Sequence, residues 1–130
     1  MSEKSNDPGV LLLEMLLQMR QQTMQYSMTE SGKWLNDFVW SDVPVEFRPE
    51  SELPKDVMGM YNFGTIVLRD AGGCLVYIWP TYIHELRHRW QWKRHPIWYL
   101  IGKIFFLRFL IENDAYAEED KAEAWMMTKN

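Results

Sequence analysis

The fold is decided by one stretch about two thirds of the way along the chain. This stretch reads Pro80-Thr81-Tyr82-Ile83-His84-Glu85-Leu86-Arg87-His88-Arg89-Trp90-Gln91-Trp92. If the segment is helical, His84 and His88 lie one turn apart on the same face. Two imidazoles at that spacing can bind one zinc ion, and Glu85 lies beside them to act on a metal-bound water. The H-E-x-x-H pattern therefore predicts a helix that carries a Zn2+ site.

The residues on either side of this stretch support a helix with defined ends. An apolar and aromatic lead-in, residues 75–79, would bury one side of it. Because proline is tolerated only in the first turn or at a bend, we expect the helix to begin near Trp79 or to bend at Pro80. Pro96 disfavours helical angles at His95, so the helix should end there.

A zinc ion held by two histidines needs a further protein ligand while one position stays open for water. The best-placed carboxylates are Glu112, Asp114 and Glu118 in the acidic segment that follows. Glu112 comes 24 residues after His88, which leaves room for a turn and a returning helix. The returning helix has an apolar stripe formed by Ile104, Ile111, Ala115, Ala122 and Trp125.

The position of each carboxylate relative to that stripe ranks the candidates. Glu112 lies on its flank and can approach a neighbouring helix. Glu118 lies on the stripe itself, where a carboxylate needs a partner such as a metal. Asp114 points to the opposite flank and has the shorter side chain. We therefore rank Glu112 first as third ligand, Glu118 second and Asp114 third.

Composition predicts one globular domain. The chain has 130 residues, of which 47% are hydrophobic and 25% charged. We expect a flexible tail at residues 1–9 and a single domain at 10–130. The net charge of −4 argues against a nucleic-acid partner. One cysteine, Cys74, excludes an internal disulfide, and no signal peptide is recognised, so a cytoplasmic location is expected.

The predicted fold class is α+β, with an N-terminal helix, a small three-stranded sheet, the H-E-x-x-H helix and a long C-terminal helix. Residues 10–28 form the first helix, whose predicted buried face consists of Leu13, Leu16, Leu17, Met24 and Met28. Three strands follow: 43–47, placed at an edge by Pro44, then 57–61 and 65–69, joined by a turn at residues 62–64. The last helix, continuous or broken, covers residues 97–127.

Residues 97–111 form the most apolar run of the chain and raise the question of a membrane. The run is shorter than the roughly 20 residues of a spanning helix, and it contains Lys103 and Arg108. It therefore predicts a buried helix and argues against membrane contact. The alternative is an interfacial helix with Trp98 and Tyr99 near the lipid headgroups.

Charge and aromatic residues are unevenly distributed. Every charged residue from position 87 to 108 is basic, and almost every one from 112 to 123 is acidic. Two adjacent helices of opposite sign are the simplest interpretation. With seven Trp, six Tyr and six Phe, part of the aromatic surface could contact a protein partner or a second copy of the chain.

The H-E-x-x-H motif, followed by a segment of the Glu-x-Asp-Ala-Tyr-Ala type from Glu112, resembles the zincin-like metallopeptidases, in particular the small gluzincins of bacteria and their phages. The resemblance covers residues 57–120 and implies a minimal zincin-like domain. It implies that His84, His88 and Glu112 hold Zn2+ and that Glu85 is the general base. Phage origin would imply a virion-associated location. Larger relatives often place an acidic residue four positions after the glutamate ligand, whereas this chain has Tyr116 there.

The implied activity is zinc-dependent hydrolysis of peptide bonds in a polypeptide substrate. The candidates for an oxyanion or second-shell contact are Tyr116, Tyr82, His95 and Arg87. The strand at 65–69, if it lies at the sheet edge, would hold an extended peptide by strand addition.

Two other interpretations of the motif stay open. One is a catalytically idle zinc-binding scaffold that serves as an assembly or interaction module. The other is a polar cluster without a metal.

Overall fold

The structure is a computed structural model that describes residues 8–62, 64–70, 74–104 and 107–129. Within these residues, four helices accompany a three-stranded sheet. The elements are α1 (Pro8–Ser27), β1 (Val45–Arg48), β2 (Gly59–Asn62), β3 (Thr65–Arg69), α2 (Leu75–Arg94), α3 (Pro96–Ile104) and α4 (Arg108–Thr128). Three short 3₁₀ helices lie between α1 and β2, at Lys33–Asp37, Trp40–Asp42 and Glu50–Glu52. The predicted α+β class is confirmed.

The sheet has the order β1-β3-β2, with β1 parallel and β2 antiparallel to β3. The β2–β3 hairpin ends at the pair Asn62–Thr65, and Gly64 supplies a positive φ of 114° in its turn. Phe63, the other turn residue, lies outside the described part of the chain. The prediction that β3 offers a free edge is wrong, because β3 is the middle strand. Strand β3 buries three consecutive apolar residues, Ile66, Val67 and Leu68, as expected of a strand that is covered on both faces.

Helix α2 begins at Leu75, one turn earlier than a start near Trp79, and includes Pro80 in its second turn. Proline has no N–H, so it cannot donate the bond that would close on Val76. The helix ends at Arg94, as Pro96 predicted. A single unbroken helix therefore carries both histidines.

The C-terminal region consists of two helices rather than one. Helix α4 buries Ile111, Ala115, Glu118, Ala122 and Met126, so most of the predicted stripe is confirmed. Ile104 instead lies at the end of α3 and is exposed.

The predicted burial of the 97–111 run is wrong. Helix α3 buries only Tyr99 and Gly102, and its aliphatic side chains are exposed. In the part of the chain that the structure describes, no helix is both long enough and apolar enough to cross a membrane.

Helix α1 packs through a different face from the predicted one. Its buried residues include Met15, Met19, Thr23 and Tyr26, whereas Leu13, Leu17, Met24 and Met28 are exposed. Leucine and methionine occur on all sides of this helix, so periodicity did not identify the face. Pro8 and Gly9, assigned to the tail, already belong to α1, and residues 1–7 lie outside the description.

An aromatic cluster fixes α1, α2 and α4 against one another. The rings of Tyr26, Trp79 and Trp125 contact each other with centroid separations of 5.2–5.6 Å. Trp79 also donates a buried hydrogen bond of 3.0 Å to Oγ1 of Thr23. The packing of Trp79 against Trp125 places α4 alongside α2, which brings the acidic segment to the histidines.

Candidate metal centre

Helix α2 presents His84 and His88 to α4 at a spacing of one turn. Both histidines are buried, and their ring centroids lie 5.0 Å apart. Oε1 of Glu112 on α4 lies 3.0 Å from Nε2 of His84 and 3.2 Å from Nε2 of His88. Three atoms that commonly ligate metals therefore converge from two helices.

Glu85 belongs to the same group of side chains. One ligand atom from each of His84, Glu85 and His88 lies within 4.8 Å of the others, and all three residues are buried. Gly59 on β2 allows this close packing, because a Cβ there would lie 2.7 Å from Cγ2 of Thr81 and 3.3 Å from Oε2 of Glu85. Strand β2 thus forms a wall directly beside Glu85.

The outer nitrogens of both histidines have partners that the sequence did not suggest. Nδ1 of His88 lies 2.8 Å from Oε1 of Gln91, whose amide nitrogen donates to the carbonyl oxygen of Ile111 and to Asp114. Nδ1 of His84 lies 2.9 Å from Oε1 of Glu119, at ion-pair distance but without the alignment of a good hydrogen bond. Both contacts direct the Nε2 atoms toward Glu112.

The sequence spacing is compatible with both contacts but does not select Glu119 over its neighbours on α4. Gln91 is three positions after His88, and Glu119 is seven positions after Glu112, which is two turns along the same face of α4. Tyr116, four positions after Glu112, places its ring centroid 4.5 Å from that of His84. Glu119 lies about one turn further along α4, and its carboxylate contacts Nδ1 of the same histidine.

The electrostatics of the cluster follow from burial and mutual contact. Burial alone would lower the pKa of His84, but its contacts with Glu112 and Glu119 outweigh burial and raise the pKa to about 9. Burial alone would raise the pKa of Glu112, but hydrogen bonds with both histidines hold it far below its usual range. Burial raises the pKa of Glu85 to about 7. A buried carboxyl with such a pKa can exchange a proton near neutrality.

The other two carboxylates considered as ligands lie in a separate cluster. Oδ2 of Asp114 accepts a 2.7 Å hydrogen bond from Nε of Arg87. Oε2 of Glu118 lies 3.3 Å from Nζ of Lys121 and 3.9 Å from Nη2 of Arg87. Glu118 is buried on the α4 stripe, as expected, but its partners are cations of the protein. The geometry favours Glu112 over both of them as third ligand.

Four residues were candidates for contacting the oxyanion or a metal ligand, and of these only Tyr116 lines the cleft at the histidines. Tyr82 is fully buried elsewhere, and burial raises the pKa of its phenol. His95 is exposed, with its ring centroid 5.2 Å from that of Trp90. Arg87 is committed to Asp114 and Glu118.

The cluster opens into a cleft of about 410 Å³. One wall is formed by residues 56–62, which include β2. The opposite side comes from α2, α3 and α4 and includes Lys103, Arg108 and Tyr116. The two cations had not been identified as part of a site from the sequence. The cleft is therefore lined by an extended strand on one side and by both acidic and basic side chains on the other.

No protein-family model, curated protein or solved structure matches this chain.

Proposed function

We propose that this protein is a zinc-dependent metallopeptidase. The observation that carries the proposal is the single oxygen, Oε1 of Glu112, within 3.2 Å of Nε2 on both histidines. Nδ1 of His88 faces an amide oxygen and Nδ1 of His84 faces a carboxylate, so in a neutral ring the proton lies on Nδ1. The two Nε2 atoms can then approach Glu112 so closely only if a further proton or a cation is shared between them.

The residues present fit a catalytic zinc site. His84, His88 and Glu112 supply two imidazole nitrogens and one carboxylate, a set that leaves a fourth position open. Gln91 and Glu119 support the outer nitrogens, as the partners of metal-bound histidines usually do. Bound zinc would lower the pKa of its water and polarise a substrate carbonyl.

Glu85 is the proposed general base. Its carboxyl is buried within the ligand group, and its pKa of about 7 allows it to take a proton and later pass it to the leaving amine. Tyr116 is the remaining candidate donor to the developing oxyanion, since Tyr82 and His95 lie elsewhere.

The proposed substrate is an extended polypeptide bound along β2. One edge of β2 pairs with β3, and β2 is the last strand on that side of the sheet within the described residues. It also lines the cleft beside Glu85. Addition of a peptide strand to this edge would bring its backbone past the histidines.

The alternative is a catalytically idle zinc-binding scaffold. The observation in its favour is the exposed apolar surface of α3, which is suited to a partner. Both hypotheses predict that the protein binds zinc. They differ in whether Glu85 acts as a general base.

The first experiment measures the zinc content of the wild-type protein beside Glu112→Gln and Glu118→Gln. Both changes remove one carboxylate charge from α4 and keep the side-chain shape. We expect one zinc per chain in the wild type and in Glu118→Gln, and a fall in zinc affinity of about 100-fold or more in Glu112→Gln. Wild-type protein that binds no zinc would contradict the proposal.

The second experiment measures peptide hydrolysis by Glu85→Gln, with exposed Glu123→Gln as control. Loss of the base should lower kcat by about 10²- to 10⁴-fold while zinc stays bound. Hydrolysis that is unchanged in Glu85→Gln would exclude Glu85 as base. A wild-type protein that binds zinc but cleaves no peptide in a mixed library would favour the scaffold.

A further inference from the structure

Helix α3 and the start of α4 carry several exposed apolar side chains, together called the α3 face here. Its members are Ile97, Leu100, Ile101, Ile104, Leu107, Phe109 and Leu110. Ile97 and Ile104, at the two ends of α3, are 74% and 72% exposed. Only Tyr99 and Gly102 of this helix are buried. None of the seven apolar side chains lines the cleft at the histidines.

Cations accompany this face along its length. No acidic residue occurs between Glu85 and Glu112, although the chain as a whole carries a net charge of −4. Six cations lie in that interval. Arg87 pairs with Asp114, Arg89 donates to the hydroxyl of Tyr61, and Nζ of Lys103 lies 5.8 Å from the ring centroid of Tyr99. Four of the six are exposed or half-exposed and lie close to the apolar residues in sequence, namely Lys93, Arg94, Lys103 and Arg108.

We propose that the α3 face binds the surface of an anionic lipid bilayer. Exposed aliphatic and aromatic side chains on one side of a short helix suit the boundary between headgroups and acyl chains, and flanking cations suit lipid phosphates. The helix would lie in the plane of the interface without crossing the bilayer. The expectation that the protein makes no membrane contact assumed a buried helix, and the exposure of α3 removes that assumption.

Charge favours a lipid surface over a second copy of the chain. In a symmetric dimer formed through the α3 face, the four cations of one copy would approach the four of the other. Like charges brought together in this way oppose association. An anionic bilayer presents the opposite charge to all four cations.

The bilayer proposal is independent of peptidase activity, but it has a consequence for the cleft. Lys103 and Arg108 lie within the chain segment of the α3 face and also line the cleft. Contact through α3 therefore places the cleft opening at the level of the headgroups.

The test is sedimentation of the purified 130-residue chain with two kinds of vesicle. One kind contains phosphatidylcholine alone, and the other contains phosphatidylcholine with phosphatidylserine. We expect about tenfold or more tighter partitioning to the phosphatidylserine vesicles, weakening as salt is added. Equal partitioning to the two kinds, or none to either, would overturn the proposal.

Two matched double variants localise the contact. Ile97→Glu with Ile104→Glu should reduce partitioning by about tenfold or more. Leu13→Glu with Leu17→Glu changes two apolar residues of α1 that are 56% and 55% exposed. This control should leave partitioning unchanged. All four positions are on the surface, so circular dichroism and zinc content should match the wild type. Equal losses in the two variants would overturn the assignment to α3.

A charge variant and a light-scattering measurement separate lipid from protein partners. Lys93→Gln with Arg94→Gln should weaken binding several-fold to phosphatidylserine vesicles and leave phosphatidylcholine unaffected. The wild type should be monomeric without lipid. If the wild type were a dimer that Ile97→Glu dissociates, and if it bound no vesicles, the α3 face would be assigned to self-association instead. Retention by an acidic protein surface without vesicle binding would likewise overturn the proposal.

Discussion

Two clusters of ionisable side chains join α2 to α4, and only one contains a permanent cation. In the first, Glu85, Glu112 and Glu119 face His84 and His88. In the second, Arg87 binds Asp114 and lies 3.9 Å from Glu118, with its guanidinium carbon 3.6 Å from the ring centroid of Trp90.

The difference separates a structural cluster from a candidate functional one. The carboxylates beside Arg87 are compensated at every pH at which the protein folds, because guanidinium does not lose its proton. The carboxylates beside the histidines have compensation only when a proton or a metal is bound. The two clusters occupy the same helix pair, and Gln91 bridges them by contacting both His88 and Asp114. Disturbing each cluster in turn therefore measures how far they act together.

The largest expected effect comes from Arg87→Met. This change leaves Asp114 and much of Glu118 without their buried cation and should lower the free energy of unfolding by about 3–5 kcal/mol. Denaturant unfolding of the metal-free protein measures it. Arg89→Met, which removes one hydrogen bond to Tyr61, is the control and should cost about 1 kcal/mol.

The zinc content of Arg87→Met, measured below its unfolding transition, sharpens the comparison. One zinc per chain is expected, because Arg87 has no contact with the first cluster in the described structure. Loss of zinc from a folded Arg87→Met protein would mean that the two clusters act as one.

A smaller effect is expected from Glu119→Gln. The carboxylate 2.9 Å from Nδ1 of His84 is replaced by a neutral amide, so His84 becomes a weaker ligand. Zinc affinity should fall about 10- to 100-fold, with one zinc still bound at saturation. Competition with a chromophoric chelator measures the affinity, and exposed Glu123→Gln serves as control. An unchanged zinc affinity would contradict the role of Glu119 as a partner of His84. A variant that binds less than one zinc per chain at saturation would show that Glu119 is itself a zinc ligand.

The smallest effect is a pH dependence confined to the first cluster. The pKa of His84 is raised to about 9, so its contribution to stability is present below its ordinary pKa and lost as pH rises through 9. The pKa of Glu85 is raised to about 7, so deprotonation of its carboxyl also lowers the stability of the fold as pH rises, but at lower pH than for His84. Metal-free protein should therefore lose on the order of 1–3 kcal/mol between pH 6.5 and 9.

Thermal unfolding in the presence of a chelator measures this loss. His84→Gln should flatten the curve above pH 7, whereas Glu118→Gln should leave its slope unchanged. Zinc competes with the same proton, so zinc affinity should rise over this interval. A metal-free protein that becomes more stable from pH 6.5 to 9 would contradict the assignment.

Much of the candidate site could be predicted because its two histidines lie close together in the sequence. The spacing of His84 and His88 needs only a helix, and Pro96 ends that helix from within the sequence. The contact of Glu112 needs α4 to return alongside α2, which the turn at His95 and the apolar stripe indicated. Glu119 was missed because a choice between positions four and seven residues after Glu112 depends on how α4 crosses α2. Sequence spacing does not determine that crossing.

The fold was less predictable where contacts are distant along the chain. Turn chemistry located β2 and β3, but the pairing of β1 with β3 depends on residues about 20 positions apart. That pairing decides which strand is the edge and therefore which strand a peptide can reach. Burial in α1 and α3 was misjudged for different reasons. Helix α1 carries apolar side chains on several sides, so periodicity does not select one of them. The aliphatic side chains of α3 share one side of the helix, but that side is exposed.

Tyr99 gives the molecule a mechanical connection between its surface and its interior. This inward-facing residue of α3 has its ring centroid 6.2 Å from that of His88 and 6.5 Å from that of Tyr61 on β2. Helix α3 also lies in the chain segment that joins the helix of the histidines to the helix of Glu112. A displacement of α3 would therefore move Tyr99 against His88 on α2 and against Tyr61 on β2, two residues that line the cleft from different elements.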